Sequence, residues 1–148
     1  MASEQLVVFR LGKEEYAVSI TQVKEIIRYG GATKLPNTPD HMEGIINLRG
    51  KVIPVIDLAK RFGLVREKTD GAQAVIVEAA RREVGVVVDG VTEVLRIEDS
   101  AIELAQTVCH AGQFLRGIGK LEGRLLIILD LDKLLSEEEQ QAIAFPGS

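Results

Sequence analysis

The chain has 148 residues, 46% of them hydrophobic but only 4% aromatic and none Trp, so any core must be aliphatic. A net charge of −4 and a sequence pI of about 5.3 argue against a polyanionic partner such as nucleic acid. A single cysteine cannot form an internal disulfide, Met1–Gln5 lacks the regions of a signal peptide, and no apolar run reaches the ~18 residues of a membrane span, which together predict a soluble cytoplasmic protein.

Two short runs, Leu6–Leu11 and Tyr16–Ile20, are rich in β-branched and aromatic residues, and Gly12–Glu15 between them predicts a hairpin. Ile20, Val23 and Ile27 then fall at i, i+3 and i+7, the spacing of a short helix. Tyr29 to His41 reads as a loop, because Gly30-Gly31, Pro36 and Pro39 oppose regular structure. Ile45–Leu48 and Lys51–Asp57 flank Arg49-Gly50 and predict a second hairpin, with Gly50 supplying the positive φ of a tight turn. Pro54 cannot donate to a strand ladder, which points to an edge strand or a bulge. Leu58–Phe62 reads as a helical turn stopped by Gly63, and the charged stretch from Arg66 to Ala72 as an internal linker.

The same order then recurs. Ala74–Val77 and Val84–Val88 read as strands, Val91–Arg96 as a short helix, and Leu115 to Asp130 as a hairpin turning at Glu122-Gly123. Glu98 to Phe114 has no clear period. A terminal helix is predicted over about 136–144, with Ser136 as its cap and Glu139 reaching back.

The recurrence is a duplication. Residues 5–28 align on 73–96 at an offset of 68, and 44–60 on 117–133 at an offset of 73, both without gaps. Arg28 faces Arg96, Glu25 faces Glu93, Asp57 faces Asp130, and Gly44 faces Gly117. A long repeat present only twice implies two related lobes, halves 5–65 and 73–135, within one domain spanning 1–148. Many short strands with few helices predict a mainly β protein, most simply two small barrels. Periodicity leaves open which strand closes which barrel, since the N-terminal strands can be exchanged between lobes. The seam between lobes is a natural place to bind.

No catalytic constellation is visible. Cys109 and His110 are adjacent, so on extended chain they point to opposite faces, and with His41 they make a poor zinc set. Asp130-x-Asp132 has metal-pair spacing, but Asp130 repeats Asp57, which favours a repeated cap. The Gly-Lys pairs lack the rest of a phosphate loop, and Gly117-x-Gly119 lies within a hairpin. Aromatics and basic residues are too few and too scattered for a single-strand nucleic-acid groove. A thiol- or metal-dependent enzyme centred on His41, Cys109 and His110 is the remote alternative.

Protein–protein recognition remains, and here the motifs are specific. Asn37-Thr38-Pro39-x4-Gly44-Ile45-Ile46-Asn47-Leu48-Arg49-Gly50-x3-Pro54-Val55-Ile56-Asp57-Leu58 closely resembles the CheW family of bacterial chemotaxis coupling proteins. Tyr16-x-Val18-x-Ile20-x2-Val23-x-Glu25-Ile26, Val84–Val91 and Leu115-x-Gly117-Ile118-Gly119 extend the resemblance over residues 5 to about 140. It implies two SH3-like five-stranded β-barrels with short helices and a C-terminal helix, no catalysis, and no cofactor. It further implies a scaffold that joins the helical cytoplasmic tip of transmembrane chemoreceptors to the C-terminal regulatory domain of the histidine kinase CheA. A sister coupling protein serving motility or another kinase pathway would carry the same residues.

Carried over by motif, the receptor-facing set is Ile20, Val23, Glu25, Ile26, Gly44, Asn47 and Arg49. Aliphatic members can accept the apolar face of a receptor helix, Gly44 permits close backbone approach, and Glu25 and Arg49 supply charge. Val23 and Ile26 match Val91 and Val94, which leaves core packing equally open for them. Arg49 faces Glu122, so the turn itself does not require arginine and a role confined to the first copy is implied. The resemblance places the kinase contact around Lys51, Asp57, Lys60 and Phe62, and a second array contact near Leu115 and Arg116.

Overall fold

The computed structural model describes residues 2–64, 71–104 and 114–140. The strands are β1 (Ser3–Leu11), β2 (Glu14–Ser19), β3 (Val23–Arg28), β4 (Met42–Leu48), β5 (Lys51–Asp57), β6 (Gln73–Ala79), β7 (Arg82–Val88), β8 (Gly90–Glu98), β9 (Ile102–Leu104), β10 (Leu115–Leu121) and β11 (Arg124–Leu129). Helix α1 covers Leu58–Arg61 and helix α2 covers Leu131–Gln140, with 3-10 turns at Ile20–Gln22 and Asp99–Ala101.

Two sheets form, one ordered β3-β6-β7-β5-β4 and the other β8-β1-β2-β11-β10-β9. Each is assembled from both halves of the sequence. The hairpin β1–β2 lies with the second-half strands, and β6–β7 lies with the first-half strands. The joins have the same form in each sheet, a parallel pair between a second strand and a hairpin strand: β5 on β7 and β11 on β2. One sheet has six strands instead of five because β9 pairs with β10 over three residues, whereas the first half makes only the isolated bridge Thr33–Ile45 at the matching place.

Alternation along the exchanged hairpins explains the core. Leu6 and Val8 point into one barrel with Ala17, Ile97, Leu126 and Ile128. Ala74 and Ile76, their repeat partners, point into the other barrel with Ile53. The opposite faces of the same strands, Val7 and Phe9 against Val75 and Val77, meet in the largest cluster, completed by Ile56, Leu58, Leu129, Leu131 and Leu134. Period-two side chains thus give three layers of core from two sheets. Among the described residues the seam between the lobes is filled by this largest hydrophobic cluster.

Aromatics concentrate at this seam. Phe9 stacks on Tyr16 at 6.2 Å between ring centroids, Tyr16 on Phe62 at 5.9 Å, and Phe62 on Phe114 at 6.3 Å, with Arg61 4.5 Å above the Phe114 ring. Such offset stacks and the cation over the ring face add to the area that they bury.

Several local expectations are corrected. The Ile20–Ile27 segment is a 3-10 turn followed by β3, and Val91–Arg96 lies within β8. Both segments are rich in β-branched residues, which favour a pleated surface, and β3 shows the alternating half-buried and exposed pattern of an edge strand. Pro54 sits on the interior strand β5, but its pairing with β7 starts only at Val55, so no ladder bond is lost. Helix α2 begins at Leu131, not Ser136, because the Asp130 carboxylate accepts from the Lys133 N–H at 3.1 Å and caps it. Asp57 does the same for α1, accepting from the Lys60 N–H at 3.2 Å. Most of the expected linker lies in 65–70, outside the described residues, whereas Ala72 is buried.

Candidate functional site

Duplication offers an internal control: a feature present at equivalent places in both lobes serves the fold, and one confined to a single lobe needs another reason. Lys51 pairs with Glu83 at 3.3 Å, and its repeat partner Arg124 pairs with Glu15, the repeat partner of Glu83, at 2.6 Å. Each tie joins a hairpin turn to the exchanged hairpin of the other half. Lys51 therefore has a structural duty, although its side chain remains 70% exposed.

Arg124 also reaches Glu93 at 3.0 Å. Bonds to Glu15 first and Glu93 second raise its pKa above the ordinary arginine value. Glu25, the repeat partner of Glu93, is held instead by Arg49. The forked guanidinium of Arg124 serves two carboxylates, and the point charge of Lys51 serves one. The first lobe consequently uses a second cation, and it places that cation on the hairpin turn.

That placement is strained. Arg49 has φ +51° and Gly50 φ +86°, the type I′ pattern in which Asn or Gly is preferred at the first position. The Asn47 carboxamide stabilises the turn by accepting from the Gly50 N–H at 2.9 Å. Arg49 is thus held in the left-handed region with its side chain 72% exposed, a backbone region that Ala80 and Arg81 of the β6–β7 turn share.

The other expected receptor-facing residues separate into two groups. Ile26 is exposed at 38% on the outward face of β3, and its repeat partner Val94 is exposed at 49%. Ile20 and Val23 pack against the seam core, as does Val91, the partner of Val23. Gly44 is buried, with φ +138°, and a Cβ there would collide with the Thr33 carbonyl oxygen. At Gly117 a Cβ would sit 2.5 Å from the Glu103 oxygen. Both glycines admit the chain's own neighbouring segment, Thr33 in the first lobe and β9 in the second, so the close approach expected at Gly44 is already used within the fold. Glu25, Ile26, Asn47 and Arg49 remain available around the mouth of the first barrel.

The expected kinase contacts are likewise divided. Asp57 is 1% exposed and caps α1, so it is removed from any contact surface. Phe62 is half-buried in the aromatic stack. Lys60 is exposed and pairs with Glu43 at 3.3 Å, while Glu43 also accepts from the Tyr29 hydroxyl at 2.8 Å. Sequence reasoning missed Val52, which lies beside Lys51 and is 53% exposed. Its repeat partner Leu125 is 64% exposed, so the outward position on the hairpin is common to both lobes. Leu115 is half-buried, and Arg116 is tied to Glu4 of β1.

Asp132, singled out by its spacing from Asp130, accepts from the Ala80 N–H at 3.0 Å and from Gln22 at 3.4 Å, a tie between α2 and the β6–β7 turn. No group of three or more His, Cys, Asp or Glu side chains suited to a metal is present among the described residues. Cys109 and His110 lie outside them. No described helix is long and apolar enough to cross a membrane.

The family model of the CheW-like domain matches residues 5–139. The chain is 41% identical to the chemotaxis protein CheW of Klebsiella aerogenes over 143 residues, covering 95% of this chain and 86% of that protein. It is 38% identical to CheW of Bacillus subtilis over 142 residues, covering 94% and 91%. The crystal structure of the scaffolding protein TtCheW from Thermoanaerobacter tengcongensis superposes with a TM-score of 0.82 at 41% identity, covering 87% of this chain and 90% of that one. With a duplicated two-barrel fold, an arginine-bearing turn and this likeness along nearly its whole length, the chain belongs to the CheW family of chemotaxis scaffolds.

Proposed function

We propose that this chain couples chemoreceptors to the histidine kinase CheA by binding both at once, without catalysis or cofactor. The outward face of β3 and the adjoining β4–β5 turn take the helical cytoplasmic tip of the receptor. Ile26 offers aliphatic surface to the apolar face of a helix, while Arg49, with Glu25 and Asn47 beside it, sets charge and register. The outer face of the β4–β5 hairpin, with Val52 between Lys51 and the Lys60 side, takes the kinase's C-terminal regulatory domain. The Leu115–Arg116 region of the second lobe supplies a weaker array contact. In this reading the protein is cytoplasmic and is recruited to membrane-associated receptor arrays, where several modest contacts reinforce one another.

The observation that carries the reading is Arg49, held at φ +51° with an exposed guanidinium and reversed in charge at its repeat position. The test is Arg49→Ala assayed for receptor-fragment binding by calorimetry beside a thermal melt. Receptor affinity is expected to fall while the melting temperature holds. Equal loss of fold and binding would make Arg49 structural and remove this support.

A further inference from the structure

The five-stranded sheet ends at β3 and β4, which do not pair with each other. Between them lies a cavity of about 550 Å³ lined by Ile27, Tyr29, Gly31, Ala32, Ile46 and Leu48. The second lobe has the same gap and fills it with its own chain. There β9 pairs with β10, Glu103 opposite Ile118, and Ile102 packs on the barrel core. In the first lobe Thr33 stands opposite Ile45, the repeat partner of Ile118, so Ala32 occupies the place of Ile102. Gly30 and Gly31 precede it, and a Cβ on either would meet nothing within 4 Å. An isoleucine side chain and a stretch of chain are missing from this mouth relative to its twin.

The groups around the opening suit an extended segment. The Ile45 N–H and C=O both bond Thr33 at 2.9 Å, away from β5. Two residues on, the Asn47 N–H and C=O point to the same side by the period of a strand, into the gap. Arg28 lines the opening, is exposed, and has no ion-pair partner among the described residues. In a chain of net charge −4, an unpaired guanidinium at a pocket rim selects an acidic group.

We propose that the mouth of the first barrel is a strand-addition pocket for an extended aliphatic–acidic segment of a partner protein. The aliphatic side chain enters the space that Ile102 fills in the other lobe, the backbone bonds to Asn47, and the following carboxylate meets Arg28. The chain's own β9 sequence, aliphatic–acidic–aliphatic, shows the chemistry that completes such a mouth. Ala32, Gly30 and Arg28 carry this site and are not used by the helix-binding reading, whereas Asn47 serves both, here through its backbone and there through its side chain.

The probe is a blocked peptide copying Asp99–Leu104, titrated into the full chain and followed by amide NMR. Saturable shifts are expected at Gly30, Gly31 and Asn47, and replacing the peptide's isoleucine by glycine is expected to weaken binding about tenfold or more. Ala32→Ile, which supplies the missing side chain, is expected to abolish peptide binding with receptor-fragment affinity unchanged. Arg28→Glu serves as the second variant, since it leaves the interior untouched and should switch preference to a peptide with Lys in place of Glu. No saturable shift, shifts away from this mouth, or peptide affinity indifferent to Arg28→Glu would overturn the proposal. Loss of receptor binding in Ala32→Ile with peptide binding retained would do so too.

Discussion

Gly44→Ala separates a structural glycine from a receptor-facing one. The added Cβ would overlap the Thr33 carbonyl, and the backbone at φ +138° is one that a side-chain-bearing residue resists. Relief requires the 33–34 segment to leave β4, which breaks the two Thr33–Ile45 bonds of 2.9 Å. At about 1 kcal/mol for each bond and roughly 1–2 kcal/mol for the dihedral, the loss is about 3–4 kcal/mol. For a domain of this size each kcal/mol moves the midpoint by about 2–4 °C, giving a fall of roughly 6–16 °C. Scanning calorimetry measures it, with Gly30→Ala as a control in open space, expected to stay within about 0.5 kcal/mol of the parent. Gly117→Ala should reproduce the effect in the second lobe, where the obstacle is Glu103. An unchanged melt for Gly44→Ala together with lost receptor binding would refute the reasoning and return Gly44 to the contact surface.

Arg49→Asn places a residue suited to the left-handed turn and removes an exposed ion pair worth about 0–1 kcal/mol, so the melting temperature should hold or rise while receptor affinity falls about tenfold or more. Arg124→Ala leaves Glu15 and Glu93 facing each other without a cation and should destabilise by roughly 1 kcal/mol or more, against less than about 0.5 kcal/mol for Lys51→Ala, as urea titrations would show. Burial first, and the nearby Glu14 charge second, raise the Tyr16 pKa above 10.0. The folded state thus favours the neutral phenol. This contribution is whole below the unfolded value of about 10 and is lost as pH climbs through the folded one. Stability should therefore decline above about pH 10, and Tyr16→Phe should flatten that decline in melts taken across the range.

The architecture was legible wherever one residue's environment decided its conformation. Hairpin turns at Gly12, Gly50 and Gly123 stand where glycine or turn spacing placed them, and all three have positive φ. The offsets of 68 and 73 announced two lobes, and the matched Asp57 and Asp130 became matched caps. Helix was wrongly expected at Ile20–Ile27 and Val91–Arg96 because apolar residues three and four apart also occur in an edge strand whose two faces meet different neighbours. Val23 there meets the seam core, and Ile26 meets solvent.

The exchange of hairpins between sheets could not be read from pattern at all. Leu6/Val8 and Ala74/Ile76 satisfy the same alternation in either barrel, and only long-range packing chooses. The candidate site was half legible for a related reason. Repeat comparison marked Arg49 through its partner Glu122, but it left Ile26 open between core and contact surface, whereas Ile26 and Val94 are both outward. Repetition shows that a residue serves both lobes, not which side of the strand it faces. Val52 escaped notice because its neighbours Ile53 to Asp57 are all buried, and a continuous apolar run hides the one member that points out.

The most direct measurement saturates this protein with a receptor-tip fragment and then adds the isolated CheA regulatory domain, reading the molar mass of the eluting species by light scattering. An adaptor with separate faces for its two partners gives one species holding all three chains. Displacement of the receptor fragment by the kinase domain, leaving only two-chain species, would contradict the account.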